Sequence, residues 1–213
     1  MLKLYGSPPT RVLRPMWLLN ALGLKYETHP VNILQGENQR EDFRAINPAA
    51  KVPVLVDGDL VLTESAAIQL YLAEKHPEAE FIPKAIEDRA QMYRWMFFLV
   101  TEIEQPLWRI AHHTFINPKE KRLPQEVELA TEDCKRMVAV LEQHMKDREF
   151  LVGDRLSVAD FNAAYTLDWA NEGKMLGDAP RLHEFVTTMY ARPTAPPTIA
   201  QALAEMKRKP VTS

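Results

Sequence analysis

The chain has 213 residues, 46% of them hydrophobic, and a formal net charge of −3, which suits one or two packed domains and gives no basic field to hold a nucleic-acid backbone. No run approaches the ~18 apolar residues of a membrane span, and the start "MLKLYGSPP" lacks a basic-then-apolar leader pattern, so a cytoplasmic protein with no nucleic-acid and no membrane partner is expected, although "MKRKP" near the C-terminus is locally basic. The only cysteine, Cys134, excludes an intrachain disulfide, a CxxC redox pair and a thiolate metal cluster.

Residues 1–77 alternate strand-like runs ("KLYG", "YETHPV", "VPVLVD", "LVLT") with two helical patterns, "RVLRPMWLLNALG" and "ESAAIQLYLAEKH". In the first helix Val12, Met16 and Leu19 share a face and Gly23 stands where a C-terminus is expected. Pro15 falls early in it and predicts an irregular start. Pro53 cannot donate within a sheet ladder, so it belongs at a strand's first residue, an edge or a bulge, and a cis X-Pro bond is one way to make such a start. With Val52 before such a bond, its N–H and C=O would turn outward and offer short antiparallel pairing to an extended, peptide-like ligand. "VLVDGDLVLT" reads as a hairpin turning at "DGD". "TES" then opens a helix whose N-terminus, at Glu64 and Ser65, favours a carboxylate; plain capping by Thr63, Glu64 and Ser65 is the competing reading.

Residues 78–86, which overlap "HPEAEFIPK", form a linker, and 87–213 carry helical patterns only. The division is therefore a small α/β domain followed by an all-α domain. Pro106 in "EIEQPLWRIAHHTF" predicts a kink. The neighbouring His112 and His113 point about 100° apart on a helix and make poor metal ligands, so no metal is expected. Val127, Ala130, Cys134, Met137, Leu141 and Met145 form one apolar stripe, which makes Cys134 an inert core thiol. "LSVADF" offers Ser157 as N-cap, Asp160 at N3, and Leu156 with Phe161 as a hydrophobic staple, a folding signal for Asp160 and not a catalytic one.

The order of "LYGSPPTRVLRPMWLLNALGLKYE", "NPAAKVPVLVDGDLVLTESAAIQLYLAEKH", "FLVGDRLSVADF" and "YARPTAP" resembles the cytosolic glutathione transferase family over nearly the whole chain. The resemblance implies a thioredoxin-like first domain that binds glutathione and a helical second domain that supplies the hydrophobic-substrate site. It implies Val52 as backbone partner of the cysteinyl part of glutathione, Pro53 as a cis-proline, and Glu64 with Ser65 as the clamp on the γ-glutamyl group. Lys51, Asn38 and Gln39 are the candidates for the glycyl carboxylate, with a solvated lysine as the alternative for Lys51. Ala50 stands where relatives commonly show glycine.

Glutathione's thiol, at a cysteine-like pKa of ~8.5, is mostly protonated at neutral pH. Lowering it by about two units requires ~2.7 kcal/mol of preferential thiolate stabilisation. One hydroxyl hydrogen bond and a helix N-terminus can supply that. Three candidates occur: Thr10, directly before the helical pattern, where many bacterial relatives carry serine; Ser7, in a second alignment to serine-type members; and Tyr5, as in tyrosine-type members. With no cysteine in the segment, the disulfide exchange of cysteine-type members is not expected; conjugation or peroxide reduction by glutathione is, with conjugation placed first. Trp108, His112 and Phe115 are candidates for the wall of the hydrophobic site, with core or dimer packing as the alternative. A homodimer using a small hydrophobic electrophile, a glutathione peroxidase and a non-catalytic glutathione-binding or regulatory scaffold are the readings that follow.

Overall fold

The structure, a computed structural model, describes residues 1–208; the last residues of the predicted helical domain and of "MKRKP" lie outside them. Four strands, β1 (Leu2–Tyr5), β2 (Tyr26–His29), β3 (Val54–Asp57) and β4 (Leu60–Thr63), form one sheet in the order β2-β1-β3-β4. β1 and β2 are parallel and joined through helix α1 (Leu13–Ala21), while β3 runs antiparallel to both β1 and β4. Leu4 lies opposite Leu55 in the register, and both are fully buried, as alternation requires of one sheet face. Gly58, at φ +62, turns the "DG" hairpin between β3 and β4, a conformation that glycine adopts without steric cost.

Helices α2 (Glu41–Ile46) and α3 (Ser65–Lys75) complete this α/β part. Val12, Leu13, Trp17, Leu18, Ile68 and Leu72 are all fully buried. Tyr71 donates to Asp57 at 2.7 Å, and Lys75 pairs with the same carboxylate, so α3 is tied to the end of β3. These partners hold the Asp57 carboxyl below the usual range, the Lys75 hydrogen bond first among them.

Pro15 does less than the sequence suggests. It is the third residue of α1, and the first four N–H groups of any helix lack an intrahelical acceptor, so its missing donor leaves nothing unpaired. The start of α1 differs in another way: the helix begins at Leu13, and turn bonds from Leu13 to the Thr10 carbonyl and from Arg14 to the Arg11 carbonyl lead into it.

The second compact unit, residues 83–191, is helical throughout. It contains α4 (Ile86–Phe98), α5 (Gln105–Ala111), α6 (Pro124–Met145), α7 (Val158–Glu172) and α8 (Pro180–Tyr190). The kink expected at Pro106 takes the form of a π-helical stretch, Leu99–Glu104, between α4 and α5, and a second one, His112–Ile116, follows. Widening the turn just before Pro106 accommodates a residue that cannot close the ladder.

Along α6, Ala130, Cys134, Leu141 and Met145 are buried as the stripe predicts, whereas Val127 and Met137 are half-buried and the neighbouring Val138 takes the buried place instead of Met137. Burial pushes the Cys134 thiol up to about 12, so it is an inert core group. Glu142 of α6 accepts from the N–H groups of Arg181 and Leu182 at 3.0 Å each, capping α8. Helix α9 (Ile199–Arg208) groups with residues 1–82 and not with the helical unit, whereas the division by sequence pattern runs in chain order to the C-terminus. Asn20 of α1 donates to the Thr194 carbonyl at 3.4 Å in the segment leading to α9.

Candidate functional site

The register of the sheet defines where the predicted residues meet. Val54 pairs with Tyr5 on one side and with Thr63 on the other, and Tyr5 pairs with His29. Beyond that shared rung three segments leave the sheet at the same end: Gly6–Ser7 after β1, Pro53 and Val52 before β3, and Glu64–Ser65 after β4. A Cβ on Gly6, whose φ is +133, would stand 3.2 Å from the Val52 Cβ and 3.1 Å from the Val12 Cβ. Glycine there lets the Ser7 loop approach Val52 closely.

The Val52–Pro53 peptide bond is cis, and Pro53 is buried immediately before the first residue of β3. Neither the N–H nor the C=O of Val52 has a backbone partner among the described residues. Its side chain packs, with Tyr5 and Ile46, against the buried Val31, Phe43 and Val54. The loop before it is held from within: Asn47 Nδ2 donates to the Lys51 carbonyl at 2.6 Å, and Asn38 Nδ2 donates to the Ala50 carbonyl at 2.8 Å. Ala50 has φ +53, which explains why a glycine suits the position. Lys51 and Gln39 are exposed, whereas Asn38 is half-buried with its amide donor already used.

At the start of α3, Glu64 is exposed and has φ 65 and ψ 110, a conformation that costs a non-glycine residue ~1–3 kcal/mol. Ser65 is 5% exposed and accepts from Arg14 Nη1 at 3.1 Å. Sequence reasoning missed Arg14. Its signal is a charged residue between Leu13 and Trp17 on a helix whose other neighbours, Val12, Pro15 and Leu18, are also buried.

Thr10 and Ser7, two of the three candidate hydroxyls, differ in where their protons go. Thr10 Oγ1 donates to the Ser7 carbonyl at 2.7 Å and accepts weakly from the Val12 N–H at 3.4 Å. Ser7 Oγ accepts from the Val31 N–H at 3.0 Å and donates to no acceptor among the described residues. The Tyr5 ring stacks on His29, with centroids 4.5 Å apart and planes 17° from parallel.

In the helical unit Trp108 meets His112 edge-on at 4.7 Å and Trp169 at 6.2 Å. The His112 ring is oriented by Asn117 Oδ1 at 3.1 Å, while His113 Nδ1 accepts from the Leu123 N–H at 3.2 Å. Phe115 is 69% exposed and joins none of these ring contacts. Among the described residues no group of histidine, cysteine and carboxylate side chains is arranged to hold a metal ion, and no helix is long and apolar enough to cross a membrane.

The family model for the glutathione S-transferase N-terminal domain matches residues 1–74, and that for the glutathione S-transferase C-terminal domain matches residues 105–193. Glutathione S-transferase F9 of Arabidopsis thaliana is 28% identical over 212 residues, covering 94% of this chain and 97% of that relative. Glutathione S-transferase 3 of Zea mays is 33% identical over 167 residues, covering 76% of this chain and 75% of the relative. Among solved structures, the glutathione transferase URE2P5 from Phanerochaete chrysosporium matches with a TM-score of 0.81 at 28% identity, covering 97% of this chain and 95% of that one. With both domain models matched in order and full-length similarity in sequence and fold, the chain belongs to the glutathione S-transferase family.

Proposed function

We propose that the chain is a glutathione transferase that activates the thiol of glutathione for attack on a small hydrophobic electrophile, with residues 1–77 binding glutathione and the helical residues 87–213 contributing the second-substrate site. The observation that carries the reading is the convergence, past the Tyr5–Val54–Thr63 rung, of an unpaired backbone at Val52, an uncommitted hydroxyl proton at Ser7 and the start of α3. An extended tripeptide pairing with Val52 sets its central cysteinyl residue opposite Val52, beside the Ser7 loop that Gly6 lets approach. Its γ-glutamyl end then meets Glu64 and Ser65, where Glu64 suits the ammonium group and the Ser65 hydroxyl, with the helix N-terminus, suits the carboxylate. The glycyl carboxylate falls toward Lys51 and Gln39, and Asn38 supports the loop from behind through Ala50.

Of the two hydroxyls in the loop after β1, Ser7 fits thiolate stabilisation better than Thr10. A thiolate accepts hydrogen bonds only, so its partner needs a free proton, and the Val31 N–H fixes the Ser7 oxygen as an acceptor so that its proton points elsewhere. Thr10 first has to release the Ser7 carbonyl, and its bond to that carbonyl shapes the loop carrying Ser7. Cys134, buried and with its pKa pushed up to about 12, cannot supply the attacking sulfur, so the nucleophile is the co-substrate's.

Trp108 and His112 form an aromatic pair, and Phe115 offers exposed apolar surface; a flat, hydrophobic electrophile is the second substrate these residues suit. A homodimer is part of the proposal, following the family.

The test is conjugation of glutathione to an aryl halide. A rate above the uncatalysed background that saturates in glutathione, falls in Ser7→Ala and persists in Thr10→Val is expected. Glutathione binding without turnover of either an aryl halide or a hydroperoxide would instead mark a non-catalytic scaffold.

A further inference from the structure

Arg14 is the one residue of the first turn of α1 that carries charge into the interior. It is 1% exposed, its neighbours in the helix are apolar, and its Nη1 donates to Ser65 Oγ at 3.1 Å across 51 positions of sequence. Its carbonyl accepts from Gln69 Nε2 of α3 at 3.4 Å, so both its backbone and its side chain reach the same helix. An apolar side chain would fill the stripe without the desolvation that a buried guanidinium requires.

The direction of the Arg14–Ser65 bond has a chemical consequence. A guanidinium has donors only, so the Ser65 oxygen must accept from it, and the single Ser65 proton cannot turn toward Arg14. Among the described residues that proton has no acceptor.

We propose that Arg14 is a positioning residue for glutathione: by holding Ser65 Oγ as an acceptor it presents the Ser65 proton to the γ-glutamyl carboxylate and sets a fixed positive charge behind it. The relay, guanidinium to hydroxyl to carboxylate, is charge-assisted at both ends. It rests on the transferase reading above and adds to it a residue that need not touch the ligand.

The test is calorimetric titration of the full-length protein with two ligands, glutathione and 4-aminobutyryl-cysteinyl-glycine, the same tripeptide without the γ-glutamyl α-carboxylate. Arg14→Met should weaken glutathione by about tenfold and the analogue by less than about twofold, with Arg14→Lys recovering part of the difference. A purely structural Arg14 weakens both ligands alike or neither, and either result overturns the proposal while leaving the transferase reading intact. Failure of the unaltered protein to bind glutathione overturns both. If Arg14→Met does not fold, Arg14→Lys in a Ser65→Ala background decides: the lysine must no longer change the preference between the two ligands, and a change that persists overturns the relay.

Discussion

Helices α3 and α7 both begin with a serine and a nearby carboxylate, and the two starts are used in opposite ways. At α7 the groups satisfy one another. Asp160 Oδ2 accepts from the Ser157 N–H at 2.8 Å and from Ser157 Oγ at 2.9 Å, Oδ1 accepts from the Leu151 N–H at 2.8 Å, and the cluster is buried. At α3 the Glu64 backbone sits at positive φ, its carboxylate is exposed, and the Ser65 proton has no acceptor among the described residues. The same residue types therefore make a folding device when their hydrogen bonds close on themselves, and are left open for a ligand, as the proposed function requires, when the backbone is bent.

The largest effect expected is at the closed start. Asp160→Ala leaves buried donors without an acceptor and should lower stability by about 3 kcal/mol, read from the urea midpoint. Burial lifts the Asp160 carboxyl from 3.8 to about 6, against the pull of its three hydrogen-bond donors. Because the folded state then holds the proton more tightly than the unfolded chain, the contribution is fully present below about pH 4 and is lost as the pH rises through about 6. Relative to Asp160→Asn, the unaltered protein should gain stability on going from pH 7 to pH 5; a relative loss would place the folded-state pKa below the unfolded one.

A pair of matched substitutions sharpens the contrast next. Ser157→Ala should cost about 1 kcal/mol of stability and leave the dissociation constant of glutathione unchanged. Ser65→Ala should raise that constant about tenfold. If both serines changed only stability, the two starts would be alike and the distinction between them would fail.

The smallest effect is the most specific to strain. Glu64→Gly relieves the positive φ and should raise stability by about 1 kcal/mol in the ligand-free protein while weakening glutathione binding. A variant that lost both stability and binding would show that Glu64 is held in place by contacts that the backbone angle alone does not reveal.

Much of the fold follows from local pattern. The "DG" hairpin, the Cys134 stripe and the Ser157–Asp160 cap each depend on residues within a few positions of one another, and such signals can be read from spacing. The site was legible as a set of segments, because Val52, Pro53, Glu64 and Ser65 lie within one short stretch. What spacing does not encode is direction. That Thr10 gives its proton to the Ser7 carbonyl, that Ser7 receives one from Val31, and that Arg14 reaches Ser65 are relations between loops brought together by the sheet register. They change the preferred thiol-activating hydroxyl from Thr10 to Ser7, although both residues stand in the same motif.

The central claim is that this site holds glutathione as a thiolate. Titrating glutathione into the protein at neutral pH and recording the ultraviolet difference absorbance of the thiolate tests it directly, with Ser7→Ala and Thr10→Val measured alongside. The account predicts a saturable thiolate signal that is lost in Ser7→Ala and kept in Thr10→Val. Saturable binding with the thiol still protonated in the unaltered protein would contradict it.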